Sequence, residues 1–213
     1  MINEDSGLCA DLFLADEDET VIFRYPKERT LTAILDVIRL EIGPMAAWTP
    51  MSNTSISSYL SQSMNNEIYI PSTIIQAVSP ERTFWEKVTI IHQETNRSEE
   101  KMIPARYSRH YYDVAKLSLT NVKENALNDI HLLHNVVAFK EKFYRTPWAK
   151  LTDINVGAAR LVPHKNRIPE LYKDYVLMQD MIFGSKPDFE EILKELSRLE
   201  SEINRATAIH GIL

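Results

Sequence analysis

The sequence predicts an α+β protein in which strands and loops come first and a helical bundle follows. Three observations carry this. Before residue 79 lie three β-rich runs, bounded by Pro, Gly and Ser/Asn clusters. Ser79-Pro80-Glu81 then reads as a helix start, with a hydroxyl cap, a proline whose missing N–H costs nothing and an acid near the positive helix end. Beyond it, apolar residues recur at helical spacing almost to the C-terminus.

The first strand-like run is Thr20–Tyr25, ended by Pro26. The second, Ile34–Ile42, is rich in β-branched residues and stopped by Gly43-Pro44. Its Ile34, Ile38, Leu40 and Ile42 can face a core, which leaves Arg39 and Glu41 together on the other face. Trp48–Asn66, rich in Ser, Asn and Met, reads as a loop or irregular edge, and Glu67–Ala77 is a third strand-like run broken by Pro71. After the helix at Ser79, Ser108 caps a second helix through about Leu119, and a third runs from about Lys123 to Tyr144. In the last, Asp188 to about Ala206, the residues Phe189, Ile192, Leu196, Leu199 and Ile203 alternate three-four spacing. Such a stripe needs a helical partner, expected to be Pro169–Phe183 across the Gly184–Pro187 linker.

Composition bounds the function. A chain of 213 residues suffices for one large domain or two small ones, and 44% hydrophobic with 25% charged residues is a globular balance. The single cysteine, Cys9, excludes an intramolecular disulfide and any cysteine-cluster metal site. No apolar run approaches the roughly 18 residues that suggest a membrane span, and the N-terminus is acidic where a signal peptide is basic. The expectation is a soluble cytoplasmic protein. A net charge of −6 argues against non-specific coating of nucleic acid, although Arg97, Lys101, Arg106 and Arg109 leave room for a local basic site.

The Ser79 helix holds the most informative local feature. Phe84, Val88 and Ile91 form an apolar stripe widened by Ile90 and Trp85, and Lys87 projects inside that arc. A lysine there either snorkels outward or meets an anion. Glu41 beside Arg39 is either a solvated pair or, in a cleft, a metal-binding carboxylate. Arg109, Asp113 and Lys116 have the spacing of a surface ion-pair ladder, and Tyr111 and Tyr112 that of core and boundary packing. Asp16-Glu17-Asp18-Glu19 precedes a strand with no glycine-rich turn upstream and reads as a solvated loop. There is no phosphate-cradling G-x-x-x-x-G-K and no G-x-S-x-G.

Several strings, in order, resemble signatures of AbiEii/AbiGii toxin-type nucleotidyltransferases. They are Leu40-Glu-Ile-Gly-Pro44; Ser79-Pro-Glu-Arg-Thr-Phe-Trp-Glu-Lys-Val with Ile91-His-Gln-Glu; and Ser108-Arg-His-Tyr-Tyr-Asp113. They continue in Trp148-Ala through Arg160-Leu-Val-Pro163, in Asp174-Tyr175 through Met181-Ile-Phe-Gly184, and in Leu199-Glu with Ile203-Asn204. The resemblance implies part of a nucleotidyltransferase-fold mixed sheet, over residues 1–105, joined to a helical bundle over 106–213. It implies transfer of a nucleotide from a nucleoside triphosphate (NTP) to an acceptor, an RNA end, with Mg²⁺ bridging the phosphates, and an antitoxin protein as partner.

Carried over by position, Lys87 and Asp113 are the catalytic candidates. Lys87, Arg82 and Arg109 are the nucleotide-binding ones, and Glu41 is the metal carboxylate. The family also carries a Gly-Gly-Ser/Thr turn and an Asp-x-Asp motif that residues 1–40 do not match. The expectation is therefore an N-terminally truncated member, inactive alone. The alternatives are a non-catalytic partner-binding module, or half of a split enzyme whose other half supplies the missing motifs.

Overall fold

The structure, a computed structural model, describes residues 11–15, 20–24, 37–41, 49–59, 61 and 72–210. It is α+β. Strands β1 (Asp11–Ala15), β2 (Thr20–Arg24) and β3 (Val37–Glu41) form an antiparallel sheet in the order β1-β2-β3. Strands β4 (Met51–Ile56) and β5 (Thr73–Val78) form a separate antiparallel pair with Met51 opposite Val78. Every strand pairing among the described residues is antiparallel.

β2 and β3 fall inside the expected runs, whereas β1 and β4 do not. β4 lies in the stretch expected to be a loop. Its Ser- and Asn-rich sequence has little strand preference of its own, and the β-branched Thr73-Ile74-Ile75 opposite supplies the ladder. In the third run, strand begins only beyond Pro71, at Thr73; Glu67–Pro71 and the acidic Asp16–Glu19 string lie outside the described residues. The expected core face of β3 is also different. Ile38 and Leu40 are 61% and 50% exposed, lined up against half-buried Phe23 and Val21 across the ladder. They form an apolar ribbon rather than the base of a core.

The core belongs to the helices. Ser79 starts α1 (Pro80–Thr95) as its residue types dictate: the Ser79 hydroxyl accepts from Arg82 N at 3.2 Å, with Pro80 in the first turn and Glu81 beside it. Phe84, Trp85, Val88 and Ile91 are fully buried, with Ile90 half-buried at the edge of the stripe. α1 packs against α2 (Ser108–Ser118), α3 (Asn121–Asn128) and α4 (Ile130–Phe143), so this helix, from the 1–105 part, sits at the centre of the helical core.

The expected helix from Lys123 to Tyr144 is two helices. Asp129 breaks it, leaving helical geometry at φ −120° and ψ 72° and capping α4 by accepting from Leu132 N at 3.2 Å. The chain then passes through short 3₁₀ turns to α5 (Ile168–Met178) and α6 (Phe189–His210). The stripe of α6 is buried as expected, but its main partner is not α5. Leu196, Leu199 and Ile203 belong to the core that α6 shares with α2 and the 3₁₀ turn Leu151–Val156. α5 meets α6 at its first turn, where Tyr175 and Phe189 rings lie 5.3 Å apart. The Ser118 hydroxyl donates to Glu195 at 2.6 Å, and Lys123 pairs with Glu202 at 2.9 Å, fixing α6 to α2 and α3.

Ser108 does not cap α2. Tyr107 occupies the cap position without a side-chain bond, and the carboxylate of Asp174, on α5, takes that role from outside. It accepts from Arg106 N at 2.6 Å and Ser108 N at 2.8 Å. α6 holds the irregular stretch before α5 in the same way. Asn204 brackets Ala159, accepting from its N–H at 2.7 Å and donating to its carbonyl at 3.1 Å, while Glu200 accepts from Leu161 N and Val162 N. Gly157 is needed beneath this contact: it sits at φ +81°, and a Cβ there would meet Asn204 O at 3.0 Å.

Candidate functional site

Most residues in the family-like strings have structural work. Ser79 caps α1, Asp174 caps α2, and Glu200 and Asn204 pin residues 159–162. His92 is fully buried; its Nδ1 accepts from Arg160 N at 3.0 Å, which leaves Nε2–H to donate to Lys150 O at 3.0 Å. Glu94 is buried and takes a two-pronged bond from Arg97, whose guanidinium lies 4.9 Å over the Trp148 ring. Two charged residues meet each other near the surface instead.

These are Lys87 and Asp113. Lys87 Nζ donates to Asp113 Oδ2 at 2.7 Å, joining α1 to α2. The side chains keep 24% and 34% of their exposure, so the pair lies at the surface of the helical core and within reach of a ligand. Of the two readings for a lysine inside an apolar arc, it meets an anion, and that anion comes from a different string. Asp113 thereby pairs with Lys87 rather than with Arg109, and the expected ladder along α2 does not form around it.

The surroundings are cationic. Arg109 is exposed, and His110 between it and Tyr111 is 8% exposed. Burial, with the charges of Lys87 and Arg109 adding to it, pulls the His110 imidazole down to about 4. Its Nδ1 is buried without a hydrogen-bond partner among the described residues. On α4, Lys140 Nζ donates to the carbonyl of Glu86 at 3.1 Å, and burial lowers it to about 8.

Arg82 is placed apart from the pair. It is 3% exposed, donates to Thr49 O at 2.7 Å and to Glu86 at 3.0 Å, and lines a groove of about 490 Å³ running from Thr49-Pro50 to Phe139. Glu41 is the last residue of β3, opposite Thr20. Lys87 and Asp113 are thus in contact, Arg109 flanks them one turn from Asp113, and Arg82 faces α4. His110 and Lys140 were missed by sequence reasoning. Lys140 had a signal: it lies four residues after Val136 and three after Val137, both buried, and so on the apolar stripe of α4.

The two buried histidines set an acid limit on stability. Each has its folded value below the ordinary one, His92 chiefly by burial. The unfolded chain therefore binds more protons, and their contribution is complete above pH 6.5 and lost as pH falls below it, for His110 down to about 4. His110 alone should cost about 2 kcal/mol between pH 7 and pH 5. Urea midpoints at the two pH values test this; equal midpoints would refute it.

Among the described residues no three His, Cys, Asp or Glu side chains converge, and the Asp113 carboxylate is occupied by Lys87. No described helix is long and apolar enough to cross a membrane.

Fold and site together define an α+β protein whose helical core presents one interhelical lysine–aspartate pair in a cationic setting. The family model described as nucleotidyl transferase AbiEii toxin, type IV toxin–antitoxin system, matches residues 4–195, and the chain belongs to that family. No curated protein matches the chain. No solved structure matches it either.

Proposed function

We propose that the chain holds the phosphates of a nucleoside triphosphate at Lys87, in a nucleotidyltransferase toxin whose acceptor is an RNA end and whose counterpart is an antitoxin. In that reaction the acceptor hydroxyl gives up its proton to water as its oxygen attacks the α-phosphorus, the bond from that phosphorus to the bridging oxygen breaks, and pyrophosphate leaves with the electron pair. Lys87 supplies positive charge where the phosphates carry negative charge, and Asp113 holds its ammonium while the site is empty. Arg109 adds a second cation at the rim, and Arg82 is the further nucleotide-binding position that the family resemblance gives, in the separate groove between Thr49 and Phe139. The observation that supports this reading is the 2.7 Å contact between two charged residues drawn from separate family strings.

Glu41 is the position where the family resemblance puts a metal carboxylate. Residues 1–213 hold neither a Gly-Gly-Ser/Thr turn nor, outside the Asp16–Glu19 string, a paired-aspartate motif. The 213-residue chain alone is therefore expected to bind nucleotide without transferring it. Incubation with labelled NTPs, Mg²⁺ and RNA should leave the RNA unlabelled. Labelled RNA would overturn the inactivity, and absence of any nucleotide binding would overturn the phosphate-site reading.

A second reading, a partner-binding module or half of a split enzyme, is favoured by the strands. Ile38 and Ile74 are 61% and 72% exposed, and such apolar sheet surface suits coverage by another chain. A stable monomer that captures neither an antitoxin nor a chain bearing the missing motifs would exclude it.

A further inference from the structure

We infer that His110 is a positioning residue of this site and the second partner of Asp113. When an anionic phosphate draws the Lys87 ammonium away, the Asp113 carboxylate turns to the Nδ1–H of His110. The ligand-driven half of this inference rests on the phosphate reading of Lys87 above.

Three observations converge on it. First, His110 and Asp113 are three residues apart on α2, and side chains at that spacing are neighbours on one helix face. Second, Nδ1 of His110 is buried and has no hydrogen-bond partner among the described residues. Leaving such a group unpaired costs roughly 1–3 kcal/mol, and a vacant ring nitrogen on the same helix face as a carboxylate has a use once that carboxylate is free. Third, the ring stands among charges from three helices: Lys87 of α1, Arg109 and Asp113 of α2, and Lys140 of α4. Lys87 is the strongest of these, so the ring registers its position.

The sign of the coupling follows. With Lys87 on Asp113, the ring is neutral and faces three cations. Moving Lys87 onto an anion removes its repulsion, brings negative charge close, and leaves the Asp113 carboxylate with a full charge to share. Each change favours the imidazolium, so filling the site takes up a proton. A freed Asp113 tied to His110 also stays anchored to α2 instead of following the lysine into the ligand.

The test is a titration of the His110 ring by NMR in the full chain. Four proteins are compared: wild type, Lys87→Met, Asp113→Asn, and Lys87→Met/Asp113→Asn. In wild type the ring should titrate near 4, and in Lys87→Met it should rise toward the ordinary 6.5. In the double variant, measured from Asp113→Asn, only the smaller rise from lost repulsion should remain. Lost repulsion alone would lift the value equally in the presence and absence of Asp113 once each rise is taken from its own background, so equal rises in the two backgrounds, or no rise in either, overturn the inference.

Should Lys87→Met fail to fold, Lys87→Gln serves instead. Sulfate, which does not titrate in this range, provides the parallel ligand arm in wild type and should raise the ring's value as the variant does. Binding of sulfate or ATP with an unmoved ring overturns the partner exchange and leaves the phosphate site standing. A Lys87→Met rise that needs Asp113, with neither ligand bound, supports the exchange and removes the phosphate reading.

Discussion

Lys87→Met is expected to weaken nucleoside triphosphate binding by roughly 10- to 150-fold while the helical core stays folded. An ammonium-to-phosphate hydrogen bond is charge-assisted and contributes roughly 1.5–3 kcal/mol, which converts to that range of affinity. The fold survives for a different reason. Lys87 and Asp113 are 24% and 34% exposed, and a pair this open to water stabilises by at most about 1 kcal/mol. Methionine keeps the aliphatic stem that fits the edge of the α1 stripe, so packing is largely retained. Asp113→Asn should change binding far less, because the ammonium remains and is no longer held by a carboxylate that competes with the phosphate. Calorimetric titration with ATP, paired with urea unfolding of each variant, separates binding from folding. Unchanged affinity in a folded Lys87→Met would remove the lysine from the site.

The largest effect on stability is expected from Asp174→Ala, at about 3 kcal/mol. The carboxylate is the only described side-chain cap on α2, accepting from Arg106 N at 2.6 Å and Ser108 N at 2.8 Å. Its removal orphans two backbone donors at the positive end of a helix, each bond being worth roughly 1.5 kcal/mol or more when the acceptor is charged. It also releases α5 from the turn before α2. Because α2 carries His110 and Asp113, nucleotide affinity should fall along with stability. Asp174→Asn retains one acceptor oxygen and should recover about half of the loss. A loss below about 1 kcal/mol, measured by urea unfolding, would show that the N-terminus of α2 is held in some other way.

Local rules were legible wherever the interaction was local. The Ser79 cap, Pro80 in the first turn and the Phe84–Ile91 stripe produced α1 as read, because each depends on residues within one or two turns. The stripe of α6 was legible for the same reason, but its partner was not: spacing shows that a face is buried and says nothing of what buries it. The break at Asp129 is hard to read because a single capping residue inside a long apolar pattern is a weak signal. β4 was illegible because its strand character comes from β5 across the ladder. Of the site candidates, Lys87 stood out by its misplaced charge, whereas Asp113 looked like part of a surface ladder until its partner was in view.

For this protein the sequence by itself determined the α+β class, the positions of the main helices and the family. All three rest on short-range patterns and on strings in a fixed order. Only the tertiary structure decided what those strings are for. Asp174, Glu200 and Asn204 reach backbone amides roughly 40 to 70 residues away in the chain, so their place in the family-like pattern is architectural. Lys87 and Asp113 meet 26 residues apart across two packed helices, with His110 Nδ1 unpartnered among the described residues beside them. Long-range hydrogen bonds and ion pairs are set by how helices pack, and no local periodicity encodes which charge a buried stem will carry to which neighbour.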